Sequence, residues 1–311
     1  MRVVLLGGSG FIGAHLARAL LDAGDTVISY DRQPPAHAPR WPGVDYRLGD
    51  LYRPDTAELA ATLADADLVY HLAWRFLPAE SNHQMQADIA ANLAGTVRLL
   101  ETCVAQRVGR VIFFSSGGTV YGPAQAPIPE THPTEPRSSH AVIKLAVEKY
   151  LALFDQLHGL DYVILRPGNP FGPYQDPGRG QGVIPAFMAQ AAAGLPLDVW
   201  GDGRAVRDYF YVGDLAEAAR LAGRTTASRA VYNIGSGVGR SLTDVITVLE
   251  RLFGRSLPVQ HHPARGVDAP FNVLDITKAR TILGWSPRIS FEEGLRRTWA
   301  ALADPDALAG R

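Results

Sequence analysis

Short runs of apolar, mostly β-branched residues alternate with longer stretches of helical periodicity through the first half of the chain. The apolar runs predict strands at residues 3–6, 26–30, 68–72, 111–114 and 162–165. Apolar positions three and four apart predict helices at residues 15–23, 90–105 and 141–157. Strands that are apolar almost throughout are typical of a parallel sheet with helices on both faces. The pattern therefore predicts an α/β fold built on a doubly wound parallel sheet.

The second half of the chain has a different texture. Residues 168–182 are rich in Gly and Pro, which predicts a long loop. Residues 207–222 and 230–234 then carry further helix and strand signals. We expect a first domain at residues 1–168, a return of the chain to it at residues 207–238, and a smaller C-terminal α/β lobe at residues 169–311.

Net charge and hydropathy indicate which classes of binding partner to expect for this protein. The 311 residues include 30 Lys and Arg against 31 Asp and Glu, for a formal net charge of −1. Nucleic-acid backbones are bound by an excess of positive charge, so we expect no nucleic-acid partner. The apolar runs are far shorter than the roughly 20 residues needed to span a bilayer, and the first one leads into glycines rather than a signal-peptide cleavage site. We therefore expect no membrane association and a cytoplasmic location.

Cysteine and histidine usage gives no sign of a metal centre. The single cysteine, Cys103, excludes an intrachain disulfide and a thiolate metal cluster. The nine histidines have no ligand-like spacing, and we interpret the adjacent His261 and His262 as a solvated pair. We expect no bound metal.

Three glycines follow the first predicted strand at the spacing of a dinucleotide-binding turn. Gly7 allows a tight turn, Gly10 lets the backbone approach a pyrophosphate, and Gly13 packs the helix against the strand. Asp31 ends the second strand 18 residues after Gly13, where a carboxylate accepts both ribose hydroxyls and repels a 2′-phosphate. This order predicts a Rossmann-type domain that binds NAD rather than NADP, although the neighbouring Arg32 is a mild counter-signal.

Further motifs extend over nearly the whole chain. They are GGSGFIG (residues 7–13), GDL (49–51), HLA (71–73), SSGGTVYG (115–122), a helix carrying Lys144, RPGNPFGP (166–173) and GDGRAVRDYFYVGDLA (201–216). In this order they resemble the extended short-chain dehydrogenase/reductase family, in particular its NAD-dependent nucleotide-sugar epimerase/dehydratase branch. The resemblance implies a Rossmann-type NAD-binding domain with a nucleotide-sugar-binding lobe.

The resemblance implies a set of residues along the cofactor. Asp50 and Leu51 are expected beside the adenine, Trp74 stands where small residues are usual, and Lys144 is expected to bind the nicotinamide ribose and lower the pKa of the catalytic base. The full set expected to contact NAD is Gly7, Gly10, Phe11, Ile12, Gly13, Asp31, Arg32, Asp50, Leu51, Leu72, Ala73, Trp74, Asn92, Ser115, Lys144 and Pro167.

It also implies a substrate side. Asn169 and Arg207 are expected to hold the diphosphate of a UDP-sugar, with Arg265 as a second cation. Trp200 is expected to pack against the nucleobase. Alternative interpretations are an ordinary Arg207–Asp208 ion pair and a Trp200 that belongs to the core. The full set expected to contact substrate is Asn169, Gln175, Val183, Trp200, Arg207 and Arg265.

The sequence departs from the family at the catalytic residues. The family signature is Tyr-x-x-x-Lys, whereas this chain has His140 four residues before Lys144, a spacing that keeps both on one helix face. Histidine can take or give a proton near neutral pH. The usual Ser or Thr is Gly117, so Ser116 or Thr119 is expected to supply the hydroxyl. The alternative is that His140 is a surface or helix-start residue of a site that has lost its activity.

Three neighbouring residues receive structural interpretations. Tyr121 is expected to be packed rather than catalytic. Glu148 and Lys149 are interpreted as a solvated pair or as half of a dimer interface. The resemblance implies a homodimer in which each subunit contributes two helices to the contact.

The family shares an opening oxidation of the sugar, and the following step differs between members. Gly118 and Thr119 replace the acidic pair that a 4,6-dehydratase needs, and decarboxylating relatives place a Glu near Thr119. Epimerisation at C4 of a UDP-hexose, hexosamine or uronic acid, through a transient 4-keto sugar, is therefore the leading hypothesis. The alternatives are a non-catalytic NAD and sugar-nucleotide binder, and an oxidoreductase or dehydratase for an unusual secondary-metabolite sugar, to which Trp74 and Arg75 would point.

Overall fold

The elements come from a computed structural model, which describes residues 1–53, 57–125, 127–180, 182–264 and 269–303. The strands are β1 Arg2–Leu6, β2 Thr26–Asp31, β3 Val44–Leu48, β4 Leu68–His71, β5 Arg110–Phe114, β6 Asp161–Pro167, β7 Asn169–Phe171, β8 Leu197–Trp200, β9 Val206–Tyr211, β10 Ala230–Ile234, β11 Gly239–Ser241, β12 Val259–His262 and β13 Phe271–Asn272. The helices are α1 Phe11–Asp22, α2 Ala57–Leu63, α3 Pro78–Ser81, α4 Met85–Asp88, α5 Ala94–Ala105, α6 Ser139–His158, α7 Val183–Ala192, α8 Val212–Arg224, α9 Leu242–Phe253, α10 Thr277–Ile282 and α11 Phe291–Ala303.

A parallel sheet of seven strands organises the molecule, in the order β10-β6-β5-β4-β1-β2-β3. This is the Rossmann-type doubly wound sheet that the apolar runs predict, and each predicted strand lies within one or two residues of an observed one. The strand β3 was not predicted. Its sequence VDYRL is half-buried or exposed because it forms the edge of the sheet, so it lacks the apolar run that marks the central strands.

Helices cover both faces of this sheet because the side chains of a strand alternate between its faces. Val3 and Leu5 of β1 pack in the same buried cluster as Leu16 of α1. Val4 and Leu6 point the other way, into a second cluster built with α5 and α6. The continuous apolar run of β1 is thus explained by burial on both sides.

The second half of the chain contains more regular structure than the sequence predicts. The expected loop at residues 168–182 includes the strand β7, which pairs with β9, and a 3₁₀ turn at Pro177–Arg179. Three residues are too few to show a periodic pattern, which is why β7 was missed. The expected element at residues 207–222 is divided between β9 and α8.

The later elements contribute to both parts of the molecule. β10 returns to the main sheet beside β6, and α8 packs against α1. A third buried cluster, with Phe171, Phe187 and Leu249 among its members, lies between α7, α9, α11 and the small sheets. The boundaries at residue 168 and at residues 207–238 stay predictions. Across the described ranges, every helix is too short or too polar to cross a membrane.

Candidate active site

The expected cofactor residues lie together at the carboxyl edge of the main sheet. Gly7 follows β1, Asp31 ends β2, Leu72 follows β4, Ser115 follows β5 and Pro167 ends β6. In the sheet, β2 lies on one side of β1 and β4 lies on the other, so the strand order reverses at β1. Ligands of doubly wound sheets bind at such a reversal of strand order.

The glycine turn has one side packed and one side open. Gly7 has φ +87°, and a Cβ on it would lie 2.7 Å from the Ala73 nitrogen. A Cβ on Gly13 would lie 2.6 Å from the Gly7 oxygen, so the helix could not approach the turn. A Cβ on Gly10 would approach only the Gly7 oxygen, at 3.3 Å. Packing therefore explains Gly7 and Gly13, and the space beside Gly10 is available to a ligand.

The start of α1 suits an anion. Gly10 is the residue before the helix, and it has no side chain to cap the first backbone N–H groups. Those N–H groups and the helix dipole attract phosphate oxygens. Phe11 and Ile12 form the first turn and are half-buried. The turn therefore fits the pyrophosphate of a dinucleotide.

Asp31 is held beside this turn. Its Oδ2 accepts a hydrogen bond from the Ser9 nitrogen at 3.2 Å, and its Oδ1 accepts one from the Arg32 nitrogen at 2.7 Å. Burial raises the pKa of the Asp31 carboxyl, against the lowering effect of these bonds. Arg32 is exposed. A half-buried carboxyl at this position fits the adenine ribose of NAD.

The segments after β3 and β4 form the neighbouring walls. The nitrogens of Leu72 and Ala73 both donate to the Leu6 oxygen, at 2.9 and 2.8 Å, which fixes them next to Gly7. Leu51 is buried, and Asp50 accepts a bond from the Tyr52 nitrogen at 3.0 Å. Contacts of Leu51, Asp50, Leu72, Ala73 and the other expected residues with NAD stay predictions.

Both the oxygen and the nitrogen of the Asn92 side-chain amide are hydrogen-bonded within the protein. Its Oδ1 accepts a hydrogen bond from the Arg75 nitrogen at 2.9 Å, and its Nδ2 donates to Asp88 at 2.6 Å. The side chain is buried. It therefore holds the loop after β4 in place, and a contact with NAD stays a prediction.

Lys144 lies in the interior on the α6 face towards β5. Its Nζ donates to the Phe114 oxygen at 2.7 Å and lies 3.6 Å from the centre of the Trp74 ring. Burial lowers the pKa of the Lys144 amine to about 7, while Glu148 and Asp88 act in the opposite direction. The amine is therefore close to the point of losing its charge at neutral pH.

His140 lies one helical turn before Lys144. Ser138 caps the start of α6 by accepting a hydrogen bond from the Ala141 nitrogen. The His140 ring is buried, its edge contacts Trp74 with centroids 5.5 Å apart, and its Nδ1 has no hydrogen-bond partner among the described residues. Burial, and then the charge of Lys144, lower its pKa to about 3. His140 is therefore not a surface histidine, although it does lie in the first turn of α6, as the alternative of a helix-start residue has it.

Gly117 is required by packing at the position where the family has a hydroxyl. A Cβ on Gly117 would lie 2.7 Å from Leu274 Cδ1 and 2.8 Å from the Arg166 oxygen, so a serine does not fit. Ser116 is half-buried nearby, and Thr119 Oγ1 is buried without a partner in the described part of the chain. Thr119 is therefore the hydroxyl with unused hydrogen-bonding capacity.

Glu148 is not solvated, which corrects its interpretation as half of a surface pair. It is buried and accepts bonds from Arg166 Nη2 at 2.5 Å and Nε at 3.0 Å. The Ser115 hydroxyl donates to the same carboxylate at 2.5 Å. Lys149 is exposed. The spacing 140, 144, 148 along one helix face was the signal that places Glu148 inside, whereas its charge suggested solvent.

The substrate-side residues are spread over the smaller lobe. Asn169 Nδ2 and Gln175 Oε1 are buried without partners among the described residues, and Val183 begins α7. Arg207 Nη1 donates to the Val206 and Ala269 oxygens at 3.0 and 2.6 Å. The residue Arg265 lies outside the described residues.

Asp208 is not paired with Arg207, because neighbouring residues of a strand face opposite ways. Asp208 is fully buried and accepts bonds from the nitrogens of Ser236, Gly237 and Leu274. It therefore joins β9 to the turn after β10 and to the segment after β13. In the sequence Asp208 simply follows Arg207, which gives no indication of these contacts. Tyr121 is fully buried, as expected for a packed residue. Its hydroxyl donates a hydrogen bond to Asn233 Oδ1 at 2.7 Å.

Trp200 is 43% exposed, so its interpretation as a core residue is wrong. Its ring stacks on His262 at 5.1 Å. His262 Nε2 is 2.6 Å from Asp198 Oδ1, and His261 Nδ1 is 2.8 Å from the Gly201 oxygen. His261 is exposed and His262 is half-buried, so both rings contact solvent, as expected, and each also has a hydrogen-bond partner in the protein.

Known proteins are similar to this chain in sequence and in fold. The UDP-glucose 4-epimerase of Mycolicibacterium smegmatis is 33% identical over 305 residues, which cover 96% of this chain and 97% of that protein. The structure of UDP-glucose 4-epimerase from Thermotoga maritima with UDP-glucose matches with a TM-score of 0.93 and 32% identity over 98% of this chain and 99% of that one. The Thermus thermophilus UDP-glucose 4-epimerase complex with NAD gives a TM-score of 0.90 and 35% identity over the same shares.

The glycine turn, Asp31 and Lys144 all lie within the region of family similarity. The sequence profile of the family spans residues 3–235, which include the main sheet apart from Arg2, the first residue of β1. The chain therefore belongs to the NAD dependent epimerase/dehydratase family.

Proposed function

We propose that the protein catalyses epimerisation at C4 of a UDP-sugar, a hexose, hexosamine or uronic acid, through a transient 4-keto sugar. The observation that carries this proposal is the buried pair His140 and Lys144, one helical turn apart at the carboxyl edge of the sheet. The similar proteins named UDP-glucose 4-epimerase support the choice of substrate class.

The opening step separates a hydride from a proton. NAD, when bound, accepts the hydride that leaves C4. His140 takes the proton of the C4 hydroxyl, which leaves a C4 ketone. His140 is neutral at neutral pH because its pKa is lowered to about 3, so one ring nitrogen has a lone pair for this proton. Once the ketone is reduced on its opposite face, return of the proton from His140 to the C4 oxygen would complete the epimerisation.

Lys144 has donors for both protein and cofactor. An ammonium has three N–H groups. One bonds to the Phe114 oxygen and the Trp74 ring faces another. We assign the third to a hydroxyl of the nicotinamide ribose. Thr119 Oγ1, buried without a partner in the described ranges, is the hydroxyl that we assign to the sugar.

Side chains at the edge of the smaller lobe are assigned to the rest of the substrate. Asn169 and Arg207 hold the diphosphate, and the exposed ring of Trp200 packs on the uracil. The segment of Gly118 and Thr119 has no carboxylate, so the residues needed for dehydration or decarboxylation are not in that segment.

The proposal includes a homodimer that works in the cytoplasm, where NAD and nucleotide sugars are available. The helix α6 exposes Val142, Leu153 and Leu157. These positions are 11 and 4 residues apart, so they lie on one face of the helix, opposite to the catalytic face. An exposed apolar stripe of this kind fits a helix of a second copy.

The test is turnover of UDP-glucose, UDP-N-acetylglucosamine and UDP-glucuronic acid with NAD, followed by NMR of the sugar. We expect one of them to give its C4 epimer with unchanged mass. A protein that binds a UDP-sugar without converting it is a binder, and a product of different mass indicates an oxidoreductase or a dehydratase. Either result contradicts the proposal.

The variant His140→Phe keeps the ring and removes the proton acceptor. We expect turnover to fall by a factor of about 10² or more, with NAD binding retained, because general base catalysis contributes about 10²–10⁴. His158→Phe, on the last turn of the same helix, is the matched control and should remain active. Undiminished turnover in His140→Phe would exclude His140 as the base.

A further inference from the structure

Among the described residues, Lys144 is a buried amine without a carboxylate partner. Its side chain is 6% exposed, and within the described ranges it forms no ion pair. The two carboxylates that raise its pKa have other partners. Glu148 is bound by Arg166 and Ser115, and Asp88 is bound by Asn92 and Ser139.

Aromatic faces replace the missing carboxylate. The Nζ atom lies 3.6 Å from the centre of the Trp74 ring and 4.9 Å from the centre of the Phe113 ring. The negative face of an indole attracts an ammonium most strongly where water is excluded. The Trp74 ring and the Phe114 oxygen therefore define where the Lys144 amine lies.

The same indole also contacts the proposed base. Its ring meets His140 edge to face at 5.5 Å and Phe113 at 6.3 Å. Its Nε1 is buried without a hydrogen-bond partner in the described part of the chain. Within the described ranges no hydrogen bond of its own fixes the indole, so packing against Lys144, His140 and Phe113 decides its position.

A histidine base makes this contact chemically useful. A tyrosine that loses its proton becomes an anion, which would pair with Lys144, whereas the neutral ring of His140 offers no negative charge. Without a phenolate, an ammonium in this interior needs another source of negative potential. The indole face supplies it and adds no proton acceptor that would compete with His140.

We propose that Trp74 is a positioning residue, which holds the Lys144 ammonium under its ring and orients His140 for proton transfer. The inference rests on the proposed function, because it treats His140 and Lys144 as the working pair. The ionisable groups that face the Lys144 amine are His71 of β4, Asp88 of α4, and His140 and Glu148 of α6.

The chain is suited to a direct test because it has only three lysines, Lys144, Lys149 and Lys278. Lysine labelled with ¹³C at Cε gives one NMR signal for each in the full-length protein, and Lys149→Arg and Lys278→Arg assign two of them. The titration midpoint of the third signal is then measured in the wild type, in Trp74→Phe and in Trp74→Leu. Phenylalanine keeps an aromatic face, and leucine is apolar without one.

We expect the Lys144 midpoint of the wild type near pH 7. In Trp74→Leu it should fall by about one pH unit, because the charged form loses its π partner while the site stays apolar. Trp74→Phe should restore most of the difference, and the two other lysines should not change. An unchanged or raised midpoint in Trp74→Leu overturns the proposal. If that variant does not fold, Trp74→Met takes its place.

Kinetics separate this inference from the proposed function. We expect Trp74→Leu to lower kcat about tenfold with little change in KM for the UDP-sugar, and Trp74→Phe to recover kcat. Equal kcat in the wild type and in Trp74→Leu contradicts the positioning role. If the wild type has no epimerase activity, the proposed function fails, and the lysine titration still decides whether Trp74 holds Lys144.

Discussion

Imidazole and phenol differ in the charge of their reacting forms, and this difference governs His140. A phenol gives a phenolate, which Lys144 stabilises, whereas an imidazole that accepts a proton becomes a cation, which Lys144 opposes. The pKa of His140 is lowered to about 3 by burial and, to a smaller extent, by the positive charge of Lys144. A proton taken by His140 is therefore held weakly, so its return to the sugar is favoured and its removal from the sugar is disfavoured by the same factor.

Buried histidines predict how stability depends on pH. Burial lowers the pKa of His15 to about 4 and that of His71 and His140 to about 3, from 6.5. The unfolded chain therefore binds more protons below pH 6.5, so stability is present above that pH and is lost as the pH falls. For each of these histidines, we expect the free energy of unfolding to fall by up to about 2 kcal/mol when the pH is lowered from 7 to 5. Urea denaturation at the two pH values measures this change.

His15→Gln tests one of these contributions. His15 Nε2 lies 3.0 Å from the Pro173 oxygen, within hydrogen-bond distance. The amide of a glutamine can still donate to this oxygen, but it does not titrate. The variant should lose less stability than the wild type between pH 7 and pH 5. An identical pH dependence would show that His15 does not contribute.

At the scale of elements, α6 presents one face to the site and ties it to the sheet. His140, Lys144 and Glu148 follow each other at four-residue intervals, and all three are buried. Glu148 pairs with Arg166 of β6 through two hydrogen bonds. The ion pair fixes the helix, and hence Lys144, against the central strands.

Removal of Glu148 should therefore be costly. Glu148→Ala leaves the Arg166 charge buried and unpaired, so we expect a loss of about 3–5 kcal/mol in urea denaturation. Glu148→Gln should lose less, because it keeps a hydrogen-bonding oxygen. The exposed pair of Arg18 and Asp22 is the control, and Asp22→Asn should cost about 1 kcal/mol or less. A loss below that level in Glu148→Ala would contradict the structural role.

At the scale of the whole molecule, the catalytic and outer faces of α6 have separate roles. The catalytic face is buried under the loops of the carboxyl edge, whereas the outer face exposes Val142, Leu153 and Leu157. A homodimer through this face would leave both active sites open to substrate.

The dimer is tested by one charge on the stripe. We expect sedimentation to give a dimer for the wild type and a shift towards monomer for Leu157→Glu, because burial of an unpaired carboxylate is costly. Leu195→Glu, at another exposed leucine, is the control and should not change the mass. A wild-type monomer, or a Leu157→Glu variant that stays dimeric, would contradict the proposed contact.

The sequence by itself determined the central strands of the main sheet and the cofactor. Central strands buried on both faces must be apolar throughout, so their positions were readable, as was the glycine turn with Asp31. Those signals are local, because each depends on residues that are close in the chain. The role of Lys144 came from the resemblance to the family, whose Tyr-x-x-x-Lys signature it matches at the lysine.

Only the tertiary structure decided which polar side chains are buried and what they contact. Glu148 and Asp208 look like surface charges in the sequence, and their partners Arg166, Ser236 and Leu274 are 18, 28 and 66 residues away. Trp74 likewise reaches Lys144 of α6 from the loop after β4. Such contacts depend on how the sheet brings distant loops to one edge, and no local pattern of hydrophobic and polar positions records that.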